Sequence, residues 1–311
     1  MYLGRLLLIC RLNWSRGRVV EGAGFEYQRT ETSRAFESHR LRWVVAAEVT
    51  GYGERMTMLQ AISALVLGLI MREAPNVREG TKDHANFRSS IATMTGIHLT
   101  VSDGRLVDKD YDVLLLAAVN YRENRMKLPA PQGDCRWGHK LDHLPSGSWP
   151  AGYKPKIARV CNAVGPMQVN KGAGYQSQLW PEVRWAFPDH GVWKTAELAE
   201  PESNVKFAYA ILQHWKNTCV DKDGGTAPMG VWLTAYRRGS CPMIGKSRRQ
   251  YVDDEAKIRC QIANDLAKDL AEDDSVAYTG LSNVPCTYED RRKLEKEANA
   301  KAHLLHGDDM G

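Results

Sequence analysis

Apolar positions recur at helical spacing in several separated blocks of this chain, and polar or Gly- and Pro-rich stretches divide the blocks. Residues 56–73 are nearly all apolar and predict a helix that ends at Pro75-Asn76. Two readings of it stand. It is a buried core helix, or, with translation starting at Met56, a weak secretory signal that lacks a basic first segment. It is short for a membrane span and carries Gln60 and Ser63. Residues 74–110 read as polar and irregular, with a hairpin around 99–107 whose turn signal is Asp103-Gly104. From Asp112 to Arg125 the pattern is helical again, with Leu116, Val119 or Asn120, and Glu123 on one stripe. Residues 126–163 are a long loop rich in Pro, Gly and Trp; Cys135 and Cys161 frame it, which predicts an ordered flap. Helices follow at 202–218, where Val205, Ala208, Ile211, Leu212 and Trp215 hold the spacing, then at 228–237 and 247–271. A charged amphipathic helix over 287–304 and a polar tail close the chain, and no repeat is evident.

Composition narrows the classes. Of 311 residues, 43% are apolar and 25% charged, enough to bury a sizeable core. The net charge of +5 is mild and suits an anionic polymer such as a bacterial wall, but equally nucleic acid or no particular partner. No basic run is interleaved with aromatics, which argues against nucleic acid. Residues 1–55 differ from the rest, with nine arginines, no lysine and no sustained period. They read as a disordered leader or as sequence upstream of the real start. Of seven cysteines, all but Cys10 lie beyond residue 134. No CxxC pair or His spacing suggests a metal site. Three disulfides paired in sequence order would keep each loop short and imply an oxidising compartment. The alternative is buried free thiols that pack as small apolar groups.

Glu123 is the candidate for chemistry. A carboxylate on the apolar side of a helix is desolvated, which raises its pKa and lets it hold a proton near neutral pH. General acid attack on a glycosidic oxygen requires such a group. The bland reading is a helix-end Glu paired in water with Arg122 or Arg125. On a regular helix those residues point about 100° and about 200° away from it, so neither need touch it.

Four patterns appear in one order: Ala118-Val-Asn-Tyr-Arg-Glu123-Asn124-Arg125; Gly165-Pro-Met167-Gln168-Val169; Asn204-Val-Lys-Phe-Ala-Tyr-Ala-Ile-Leu212 followed by Thr234-Ala-Tyr236-Arg-Arg-Gly239; and Arg249-Gln-Tyr251-Val252 opening a helix. Together they resemble the catalytic domain of the soluble lytic transglycosylases, over roughly residues 56–270. The resemblance implies a mainly α fold: a lysozyme-like helical domain at 56–286 with a small β-hairpin or irregular lobe. The leader at 1–55 and the charged C-terminal helix and tail at 287–311 would flank it.

The implied activity is cleavage of the β-1,4 bond between N-acetylmuramic acid and N-acetylglucosamine in peptidoglycan. Glu123 would protonate the bridging oxygen, then accept the proton of the muramic C6 hydroxyl as that oxygen attacks C1 and forms a 1,6-anhydro sugar. No second carboxylate and no cofactor is called for, unlike in the usual two-carboxylate scheme. Asn124, Met167, Gln168, Val169, Tyr236 and Tyr251 would line the substrate groove, with one phenol bonded to Glu123. Asn204 reads instead as a helix-start cap.

Three departures from the family pattern stand out. Asn124 replaces a Ser, Arg237 replaces an Asn, and the stretch from Glu123 to Gly165 is longer than usual. In that stretch Trp137, Trp149 and Tyr153 either stack on sugar faces or pack the flap down. A hydrolytic muramidase with Asp134 or Asp142 holding a water is the nearest alternative, followed by a non-catalytic wall-binding or virion protein. The implied partners are peptidoglycan glycan strands and, by context, a secretion apparatus or phage virion; the setting is the periplasm and envelope, or a phage. Neither nucleic acid nor a stable membrane span is expected.

Overall fold

The computed structural model describes residues 57–74, 77–130, 133–139, 157–170, 181–186, 195–221, 223–244 and 249–307. The expected leader at 1–55 lies outside them. Helices dominate: α1 (Met58–Glu73), α2 (Lys82–Val101), α3 (Lys109–Asn124), α4 (Pro181–Ala186), α5 (Thr195–Ala199), α6 (Pro201–Thr218), α7 (Met229–Arg238), α8 (Asp254–Ala271) and α9 (Tyr288–Gly307). Strands β1 (Gly133–His139), β2 (Ile157–Val164) and β3 (Val169–Asn170) form an antiparallel sheet, and β4 (Met243–Ile244) pairs with β5 (Arg249–Gln250).

α3 is the axis of the core. Every residue from Tyr111 to Tyr121 is buried, so this helix is enclosed on all sides rather than amphipathic. Its start is fixed by Asp108, whose side chain accepts the Tyr111 amide at 2.8 Å. Inside the first turn Asp112 is fully buried and accepts the Leu106 and Val107 amides and the Tyr209 hydroxyl. That network ties the α2–α3 turn to α6. α8 packs along α3, and α2 packs on α1, α3 and α6. α7 lies against both α6 and α8.

The hydrophobic block at 56–73 is a core helix. Ala61, Ile62, Val66, Leu67 and Ile70 are buried, and Thr57 with Gln60 forms a reciprocal cap at its start. No helix among the described residues is long and apolar enough to cross a membrane.

The expected hairpin at 99–107 is absent. α2 runs through to Val101, and Asp103-Gly104 turns the chain between two helices, with Gly104 at φ 78°. The helix escaped notice because its buried stripe is Ile91, Met94, Thr95 and His98, and two of those four are polar. The long loop is largely a hairpin, with β1 and β2 in register from Gly133↔Ala163 to His139↔Ile157 and Cys135 opposite Cys161. The side chains of Asp134 and Trp137, and Asp142, Trp149 and Tyr153 entirely, lie outside the described residues.

Among the described residues two of the sequential disulfides are present, Cys219–Cys241 and Cys260–Cys286. The second clamps the segment before α9 to α8, beside Asn264, which exchanges hydrogen bonds with Val284 in both directions. The helix expected from 247 starts at Asp254. Arg249–Gln250 is a short strand, and the Asp253 side chain caps α8 by accepting the Ala256 amide at 2.8 Å.

Candidate functional site

Glu123 occupies the last turn of α3, where the helix leaves the core, and Arg125 (φ 57°) and Met126 (φ 59°) then reverse the chain. Its side chain is 18% exposed, and its Oε1 lies 2.8 Å from Nη2 of Arg259, which is 4% exposed. Burial raises the Glu123 pKa, and the charges of Arg259 and Arg237 oppose that rise without cancelling it. The neighbouring arginines on α3 have other partners. Arg122 donates to both carboxylate oxygens of Glu255 at 2.9 and 3.1 Å, and Arg125 stands 3.6 Å from Glu73. Neither is in ion-pair contact with Glu123, although the Arg122 charge also opposes the rise in its pKa.

The Gly165–Val169 segment is a tight turn joining β2 to β3. Gly165 has φ 71° and Gln168 φ 49°, and the Gly165 carbonyl accepts both the Gln168 amide (3.0 Å) and its side-chain nitrogen (2.9 Å). Asn204 holds this turn from α6. Its Oδ1 accepts the Met167 amide at 2.7 Å, and its Nδ2 donates to the Val164 and Leu198 carbonyls at 3.0 and 2.6 Å. All of this is buried, and a Cβ at Gly165 would overlap the Asn204 amide. Asn204 is thus not the helix cap that the sequence suggests. It sits inside α6, whose N-cap position is Glu200, and acts as a strut.

Tyr236 on α7 joins the turn to the acid. Its hydroxyl donates to the Met167 carbonyl at 2.8 Å. Its ionisation is suppressed by burial and then by the nearby Glu123 charge, with Arg259 acting the other way, so the three groups share one neighbourhood. Glu123, Tyr236 and Met167 are therefore brought together from three stretches of sequence.

Other expected groove residues stand elsewhere. Met167 and Val169 are fully enclosed and serve the core rather than an open wall. Asn124 is buried, with its amide donating to the Lys127 carbonyl. The Tyr251 ring lies under the Arg238 guanidinium, 5.3 Å from its centroid, and among the described residues no hydrogen bond joins it to Glu123. Arg237 is paired with Asp253 at 3.3 Å and reaches Glu123 only through its charge.

Arg259 was missed in the sequence, although the reasoning that found Glu123 could have found it. α8 buries Ala256, Cys260, Ala263, Leu266, Ala267 and Leu270, and Arg259 is a charge on that same face. Among the described residues no group of His, Cys, Asp and Glu is arranged to hold a metal ion. A cavity of about 160 Å³ bordered by Leu106, Lys216, Met229, Trp232 and Arg291 contains none of these residues. Its two cations are engaged, Lys216 with the Arg105 carbonyl and Arg291 with Asp221 and the Thr226 carbonyl. Comparison with protein-family models, curated proteins and solved structures finds no match to this chain.

Proposed function

We propose that this chain is a lysozyme-like lytic transglycosylase that cleaves peptidoglycan between N-acetylmuramic acid and N-acetylglucosamine, with Glu123 as acid and then base. The observation that carries the reading is the placement of a mostly buried carboxyl with raised pKa beside Tyr236, whose hydroxyl is tied to the Met167-Gln168 turn. Burial favours the protonated form of Glu123, the form that can deliver a proton to the bridging oxygen. As the C–O bond breaks, the resulting carboxylate takes the C6 hydroxyl proton while O6 closes on C1. Two disulfides and the mild positive charge favour work on an anionic wall polymer in an oxidising compartment, either as an exported protein or as part of a phage.

The test is digestion of purified wall by the parent protein and by Glu123→Gln, with products read by mass spectrometry. The expected result is 1,6-anhydro ends from the parent and at least a hundredfold less product from the variant, on the order of a lost general acid. Reducing ends would instead mean that water attacks, as in a hydrolytic muramidase. One observation favours a second reading, a scaffold without activity: Glu123 is ion-paired with a buried arginine. On that reading the parent and Glu123→Gln release equal, negligible product.

A further inference from the structure

Arg259 is a buried guanidinium with one anionic contact. Its Nη2 meets Glu123 Oε1 at 2.8 Å, while its Nε and Nη1 are buried without an acceptor. A guanidinium stays charged in proteins and carries only hydrogens, so Oε1 must face it with a lone pair. The carbonyl oxygen of a protonated carboxyl is the better acceptor, so the proton is favoured on the other oxygen, Oε2. When Glu123 is protonated, the hydrogen is favoured on Oε2, which makes no hydrogen bond among the described residues and, unlike the Arg259 Nε and Nη1, is not fully buried.

The other charges around the pair have partners of their own, with Asp253 serving two arginines, Arg237 and Arg238. Arg122 on α3 is spent on Glu255, and Arg237 on α7 is spent on Asp253. Tyr236, also on α7, donates its hydrogen to Met167. Arg259 on α8 is left as the cation in direct contact with the acid.

Building on the transglycosylase reading, we propose that Arg259 is the positioning residue of the acid: it fixes one carboxyl oxygen, turns the proton-bearing oxygen outward, and sets the pH above which the acid is unloaded. In the acid step the Oε2–H bond breaks as the bridging oxygen takes the hydrogen. The carboxylate formed is at once opposite a positive charge, which stabilises it until it takes the C6 hydroxyl proton.

The experiment compares the parent, Arg259→Met and Arg259→Lys. It measures wall-cleavage rate against pH, and the Glu123 carboxyl titration by carbon-13 NMR, with that signal assigned from Glu123→Gln. Loss of a cation in contact should move the high-pH limb and the carboxyl titration together, upward by about one to three pH units in Arg259→Met. Arg259→Lys should keep the parent limb with a lower kcat and an unchanged KM. Should Arg259→Met not fold, Arg259→Gln, which keeps a donor for Oε1 but no charge, carries the same expectation. A limb and a titration that coincide with the parent's, in a protein that cleaves wall, overturn the role of Arg259 and leave the function standing. A parent that cleaves no wall while its Glu123 titration still shifts in Arg259→Met removes the function and the positioning role with it.

Discussion

Replacing Gly165 and Asn204 singly and together gives a quantitative test of how the candidate site is held. Asn204→Ala strips three buried backbone groups of their partner: the Met167 amide and the Val164 and Leu198 carbonyls. At about 1 kcal/mol or slightly more for each orphaned group, the loss is about 3–4 kcal/mol. Gly165→Ala places a Cβ at φ 71°, at about 1–2 kcal/mol, and drives it into the Asn204 amide. Pushing that amide aside breaks the same three bonds, so the single variant should lose about 4–6 kcal/mol. In the double variant the overlap has gone and only the backbone strain adds to the Asn204 loss. The double should then be less destabilised than the sum of the singles, by about 3 kcal/mol. Urea unfolding of all four proteins at one pH, with midpoints and slopes compared, measures this directly. Losses that add to within about 0.5 kcal/mol would refute the strut, because independent sites add to about that accuracy.

Other expectations follow from single contacts. Tyr236→Phe leaves the Met167 carbonyl without its donor and should cost about 1–2 kcal/mol in the same unfolding assay, with a slower wall-cleavage rate. Replacing Cys260 and Cys286 by Ser opens a loop of sequence separation 26, and thermal unfolding should report a loss of about 3.5 kcal/mol. His98 is fully buried against Asn120, and burial holds its pKa at about 3 against 6.5 in the unfolded chain. The folded state keeps it neutral while the unfolded state takes up a proton. This share of stability is complete above pH 6.5 and falls by about 1.4 kcal/mol per pH unit from there toward pH 3. His98→Leu should flatten that part of the stability-against-pH curve, and an unchanged slope would show that other groups produce it.

How legible the molecule is in its sequence depends on where polar atoms sit. α1, α3, α6 and α7 were readable within three residues at either end, because their apolar positions repeat at the helical period and Pro75, Pro201 and Gly239 mark their ends. α2 was not, because Thr95 and His98 occupy core positions and lower the contrast that such reading needs. Asn204 looked like a cap because Asn is common at helix starts, and only the fold brings the Gly165 turn under its amide. The acid on the stripe of α3 was visible. Its partner is not legible locally, since the pairing joins α3 to a helix far along the chain.

Local order alone determined that this chain would be mainly helical, that α3 would be a core helix, and that an acid would leave the core at its end. Helical periodicity and turn chemistry act over a few residues, so they are written where they act. Tertiary structure decided the rest: which cation meets Glu123, which oxygen of that carboxyl stays free, and that Tyr236 reaches the Met167 turn. Those outcomes depend on the packing of α3, α7 and α8 and on the desolvation that packing imposes, and the charge of a buried group answers to everything around it.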